Sequence, residues 1–128
     1  MIINIPISLG ELLDKISILL IKKRKIQDVH KLKFISEELK LLERILKSSF
    51  KDNSNIKKYL DEIIGVNLKL WEIEDQIRKC ERNKKYDQEF INLARSVYFT
   101  NDERSKIKLK INEKFGSAII EVKSYEKY

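Results

Sequence analysis

Between Ile56 and Cys80 the apolar residues Ile56, Ile63, Val66, Leu70, Ile73, Ile77 and Cys80 recur at helical spacing. The stripe extends over about seven turns at about 3.6 residues per turn, a period that a strand does not show. A helix of this length needs other long helices to cover its stripe. The chain can supply them, because its 128 residues include only three Gly and one Pro. With so few helix breakers, long uninterrupted helices are the natural outcome. Gly65 falls inside the stripe and reads as a close helix contact or a mild weakness, not a stop.

Upstream, "MIINIPI" alternates and is β-branched, so it reads as a short extended segment with Ile3, Ile5 and Ile7 on one face. Ser8 then caps a first helix, with Glu11 as its reciprocal partner. Leu9, Leu12, Leu13, Ile16, Leu19 and Leu20 form the main apolar face, and Ile18 and Ile21 lie on the other side. A helix apolar on two sides sits at the centre of a bundle or uses its second side for a partner, and the central position is favoured here. The pattern weakens after Lys22 and returns at Leu32, Ile35, Leu39, Leu42 and Leu46. Either one helix runs from about 9 to 49, or two meet near Asp28, which would cap the second.

"SSFKDNSN" reads as a loop, with Ser54 able to cap the long third helix. "ERNKKYDQE" ends that helix, and Asp87 can cap a shorter one bearing Phe90, Leu93, Ala94 and Val97. Thr100 looks like the N-cap of a further helix, with Glu103 completing a capping box. That helix carries Ile107, Ile111 and Phe115 and stops at Gly116. The tail "SAIIEVKSYEKY" is partly β-branched and is expected to pair with the N-terminal segment. The expectation is a single all-α domain over residues 1–128, a bundle of four or five helices with a minor two-stranded extension formed by the termini.

Arg104 sits one turn before Ile107 and Ile111, on the same stripe. A cation at a helix start and on the core side is doubly unfavourable unless something anionic meets it. Other charges also flank apolar stripes. Glu11, Lys15, Ile18 and Lys22 share a face of the first helix, and Asn67, Trp71, Glu74, Arg78 and Glu81 adjoin the stripe of the third. Arg95, Tyr98, Asn101, Arg104 and Lys108 gather near the C-terminal helices. Convergence of these faces would make a polar pocket with Trp71 and Tyr98 as walls. The candidate anion site is therefore Lys15, Lys22, Trp71, Glu74, Arg78, Arg95, Tyr98, Asn101, Arg104 and Lys108. The competing reading pairs Arg104 with Glu11, Glu74 or Glu81, as an internal lock on helix orientation.

Basic residues exceed acidic ones, 27 to 20, giving a formal charge of +7. That balance suits an anionic partner, although Lys interleaved with Glu and Asp is also what a solvated helix face looks like. Lys22, Lys23, Arg24, Lys25, Lys31 and Lys33 are the candidate nucleic-acid face, with no stacking aromatic among them. A phosphate loop, a Cys pair and a His pair at ligand spacing are all missing from the sequence, so no metal or cofactor is expected. His30 reads as a surface residue and Cys80 as a small core side chain. No apolar run reaches membrane-spanning length and the start lacks a signal-peptide pattern, so a cytoplasmic protein without membrane contact is expected.

Three segments together, "ISLGELLDKISILLIKKRKI", "VNLKLWEIEDQIRKCERN" and "EFINLARSVYFTNDERSKIKLKIN", with the ending "GSAIIEVKSY", resemble a family of small uncharacterised helical proteins from bacteria and marine phages. The resemblance runs nearly end to end and implies no activity. It implies that Glu11, Asp14, Lys15, Lys22, Trp71, Glu74, Asp75, Arg78, Arg95, Tyr98, Asn101, Asp102 and Arg104 stand in the family's motif segments. The chain also looks like the all-helical chorismate mutases, which bind a dianionic substrate between helices with several cations. That likeness implies an imitation of the arrangement by Lys15, Lys22, Arg78, Arg95 and Arg104. The spacing of that family's first helix and its later glutamine are not evident.

Three functions follow as expectations. The first is a non-catalytic interaction or adaptor protein that self-associates or meets a protein partner. The second is an anionic small-molecule binder or enzyme with a pocket between helices. The third is a nucleic-acid-associated basic protein.

Overall fold

The computed structural model describes residues 1–50 and 54–128, the Ser54 side chain excepted. Four helices follow one another: α1 (Leu9–Lys25), α2 (Val29–Ser49), α3 (Ser54–Arg82) and α4 (Gln88–Lys114). Helix α1 packs against all three others, which is the central position its two-sided apolar pattern predicts. Leu13 and Ile16 are fully buried on its main face, and Ile21 is buried on the other. The break after α1 is real. Asp28 Oδ1 accepts a hydrogen bond from the Lys31 N–H at 2.9 Å and so caps α2. Ser8 Oγ caps α1 by accepting from the Glu11 N–H at 3.1 Å, while the Glu11 side chain turns elsewhere. The expected Ser54 cap and the centre of the "SSFKDNSN" loop lie outside the described residues.

Two expectations are corrected. Thr100 starts no helix, because α4 runs through it without a break and buries it. Glu103 makes no capping box and instead faces Lys69 of α3 at 3.8 Å. The inward stripe of α4 is continuous from Phe90 through Val97 to Ile111, but Asn101, Arg104 and Lys108 occupy its middle. An apolar pattern interrupted by polar residues looked like two helices, and the bundle therefore has four, not five.

The two-stranded extension also fails to form, since no strand is present among the described residues. Residues 117–128 instead lie along α4 as an extended strap, fixed by Glu121 to Lys108 at 3.1 Å and by the Tyr128 hydroxyl to Asp102. Met1, Ile2, Ile3 and Ile5 stand exposed without it. Gly116 turns the chain from α4 into the strap with φ of 64°, a conformation that favours glycine. The Ser117 N–H reaches back to the Asn112 carbonyl at 2.8 Å, closing the helix end as expected of a glycine stop.

Two glycines behave in opposite ways. Gly65 is exposed, and a Cβ there would meet nothing within 4 Å, so it marks no close contact. Gly10 is the residue that does. A Cβ at Gly10 would lie 2.7 Å from the Lys108 carbonyl oxygen and 2.9 Å from Asn112 Oδ1. The missing side chain lets α1 touch the backbone of α4. Asn112 then accepts the Gly10 N–H at 2.7 Å, so a distant helix satisfies a donor that the first turn of α1 leaves open. Among the described residues, no helix is long and apolar enough to cross a membrane.

Candidate functional site

Where α1, α3 and α4 meet, polar side chains replace the hydrophobic core. Asp14 and Ser17 of α1 are buried and turned toward α3 and α4. The Asn67 side-chain amide donates to Asp14 Oδ1 at 2.7 Å and to Ser17 Oγ at 2.6 Å. Ser17 in turn donates to the Asp14 carbonyl at 2.7 Å. Lys108 enters from α4 and meets Glu11 at 2.7 Å, Glu121 at 3.1 Å and Asp14 at 3.3 Å. An ammonium has three protons to donate, so these three carboxylates can occupy it fully. No buried side-chain nitrogen or oxygen lacks a partner among the described residues.

Burial works against the Lys108 charge, and Glu11, Asp14 and Glu121 together outweigh it, holding the ammonium above the ordinary lysine value. Stability from this group is therefore complete below the ordinary value and is lost as pH rises through the higher one. Glu121 moves the other way. Lys123 first and Lys108 next hold its carboxyl below the ordinary glutamate value, against a smaller effect of burial. Its contribution is present above that ordinary value and is lost as pH falls through the lowered one. Melting curves across the carboxylate range should accordingly show an acid step in stability that shrinks in Glu121→Gln. Identical acid profiles for the two proteins would show that Glu121 does not fasten the strap.

Arg104 lies one turn before Lys108 and has a different environment. It is half-buried, and it forms no ion pair among the described residues. Its hydrogen bond runs to Asn67 Oδ1 at 3.5 Å, long for a guanidinium contact. The carboxylates that would have locked it are committed elsewhere. Glu11 holds Lys108, Glu74 pairs with Arg78 on its own helix, and Glu81 lies near Tyr86 and raises that phenol above its ordinary value. Beside Arg104 a cleft of about 750 Å³ opens between α4 and the strap. Val97, Tyr98 and Asn101 form its helix side, and Lys123, Tyr125 and Tyr128 its strap side.

The expected site residues thus divide. Tyr98, Asn101 and Arg104 come together at the cleft, and Lys108 lies behind them in the buried network. Trp71 is half-buried on α3, and Lys22 is half-buried near the end of α1. Lys15 is a surface residue 4.0 Å from Glu11. Glu74 and Arg78 form an exposed pair along α3, and exposed Arg95 sits over the Phe99 ring at 5.8 Å. The chorismate-mutase-like set of cations is therefore not assembled, since Lys15, Arg78 and Arg95 each point to solvent.

Sequence reasoning missed Ser17, Gly10 and Asn112 in the network, and Lys123, Tyr125 and Tyr128 at the cleft. A signal existed for Ser17 and Asp14, because polar residues on a helix apolar on two sides have little room to face water. The strap residues carry no periodicity that would place them on α4.

The chain belongs to a family of unknown function, DUF6165, which it matches over residues 3–128. No curated protein and no solved structure matches it. The extent of the match agrees with the nearly end-to-end resemblance seen in the quoted segments.

Proposed function

We propose that this member of the family is a small-molecule binding protein that takes an anion on Arg104, in the cleft between α4 and the strap. The observation that carries the reading is a half-buried guanidinium with no carboxylate partner among the described residues, beside open volume. Desolvating a guanidinium without a counter-charge is costly, and an anion in the cleft would remove that cost. Asn101 lies one helical turn from Arg104 and adds a neutral amide to the same wall. The internal charges organise the bundle through Lys108, which leaves Arg104 for binding.

In a panel of phosphates, dicarboxylates and monocarboxylates, at least one anion should raise the melting temperature of the wild-type chain. Arg104→Met should lose that rise, corresponding to binding weaker by about tenfold or more. A panel in which no anion stabilises the protein through Arg104 would end the reading.

The interaction-module reading keeps one specific support. Ile2, Ile3 and Ile5 and, on the strap, Ile119, Ile120 and Val122 are exposed apolar side chains. Association would cover apolar side chains of this kind. Sedimentation velocity should then show a dimer growing with concentration, and a monomer at all concentrations would remove the support. The basic run at the end of α1 has a local explanation, since Lys22, Lys23, Arg24 and Lys25 complement the negative end of that helix. Nucleic-acid binding has no comparable observation in its favour.

A further inference from the structure

The charges that line the cleft narrow what Arg104 can hold, and this inference rests on the anion-binding reading. Two cations, Arg104 and Lys123, face two carboxylates, Asp102 and Glu126. Lys123 is engaged by Glu121 at 2.8 Å, so Arg104 is the cation that remains for a ligand. Asp102 accepts the Tyr128 hydroxyl. A ligand carrying several negative charges would gain one guanidinium and meet two carboxylates.

Phosphate recognition also draws on free backbone N–H groups at a helix start. None is offered here, because Val97 to Ser105 lie inside α4, where the amides bond along the helix. A carboxylate has different needs. It brings a single charge and two coplanar oxygens, which match the fork of one guanidinium.

The remaining walls say what the carboxylate is attached to. Val97 and Tyr98 on the helix, with Tyr125 and Tyr128 on the strap, present hydrocarbon and aromatic rings. Tyr98 and Tyr128 stand 5.3 Å apart between ring centres, so helix and strap meet through aromatic contact. At about 750 Å³ the cleft far exceeds a carboxylate group and falls in the usual range of small-molecule sites. We infer that the cleft takes a monocarboxylate borne on an aromatic body, with the carboxylate on Arg104 and the ring against the tyrosines. Aromatic rings at these walls gain stacking beyond simple burial.

The test is calorimetric titration of the whole chain with 3-phenylpropionate, its uncharged amide and inorganic phosphate at matched ionic strength. The acid should bind, and the amide should bind about tenfold more weakly or worse, since it lacks the charge-assisted pair. Phosphate should produce no Arg104-dependent heat. Tyr125 is largely exposed, so Tyr125→Ala should fold normally and weaken 3-phenylpropionate. Should Arg104→Met fold poorly, Arg104→Lys retains the charge without the fork and should still weaken the acid. Equal binding of acid and amide, or unchanged affinity in Tyr125→Ala, would overturn the ligand class. Arg104-dependent phosphate binding without 3-phenylpropionate binding would also overturn the class and leave anion binding standing. Absence of any Arg104-dependent binding would remove both.

Discussion

Lys108→Met should lower folding stability by about 3–5 kcal/mol, the usual cost of breaking a buried ion pair from one side. The Lys108 side chain is 8% exposed and the Asp14 side chain 5%, so Asp14 has no route to water once its partner is gone. Glu11 and Glu121 are 36% and 40% exposed and can turn outward. The loss is thus expected to come mainly from Asp14. Adding Asp14→Asn to Lys108→Met removes the stranded charge and keeps an acceptor for the Asn67 amide, so the double variant should recover most of the stability. Urea unfolding of the three proteins measures this. A single variant within about 1 kcal/mol of wild type would show that the cluster does not organise the bundle.

Gly10→Ala should cost about 1–3 kcal/mol, the range for forcing volume into a packed site. The new Cβ would stand 2.7 Å from a backbone carbonyl of α4, which cannot rotate away as a side-chain tip can. The helices must separate, and the Asn112 cap on the Gly10 N–H stretches with them. Alanine's better helix propensity offsets part of this, by about 0.5–1 kcal/mol at most. The same substitution at Gly65 meets open space, so there propensity acts alone and should stabilise by about 0.5–1 kcal/mol. Opposite signs at two helical glycines are the expected result. Destabilisation at both would show that α3 needs Gly65 for a reason the packing does not reveal.

These glycines also show where the sequence is legible. Both lie in helical patterns, and nothing in their neighbours tells a close contact from a neutral position. The difference is the distance to another helix, which only the fold sets. Helices α1 to α3 could be read because apolar periodicity covers most of their length, and their caps at Ser8 and Asp28 use ordinary side-chain chemistry. At Thr100 the pattern suggests a new helix although α4 is continuous, because its inward stripe turns polar at Asn101, Arg104 and Lys108. Arg104, singled out for its place on a core stripe, lines the cleft between α4 and the strap. A cation facing inward on a helix implied either a carboxylate or a cavity, and the fold supplies the first to Lys108 and the second to Arg104. The strap could not be foreseen, because its hold depends on Glu121 and Tyr128 meeting side chains of α4.

The proposed division of two α4 cations, Lys108 for structure and Arg104 for binding, is tested most directly by an NMR titration. On adding 3-phenylpropionate, the Arg104 side-chain Nε–H signal and the amides of residues 97–105 and 123–128 should shift together and saturate. The Lys108 and Asn112 environments should change little. Shifts concentrated instead on Lys22 to Lys33, or no saturable change at Arg104, would contradict the account.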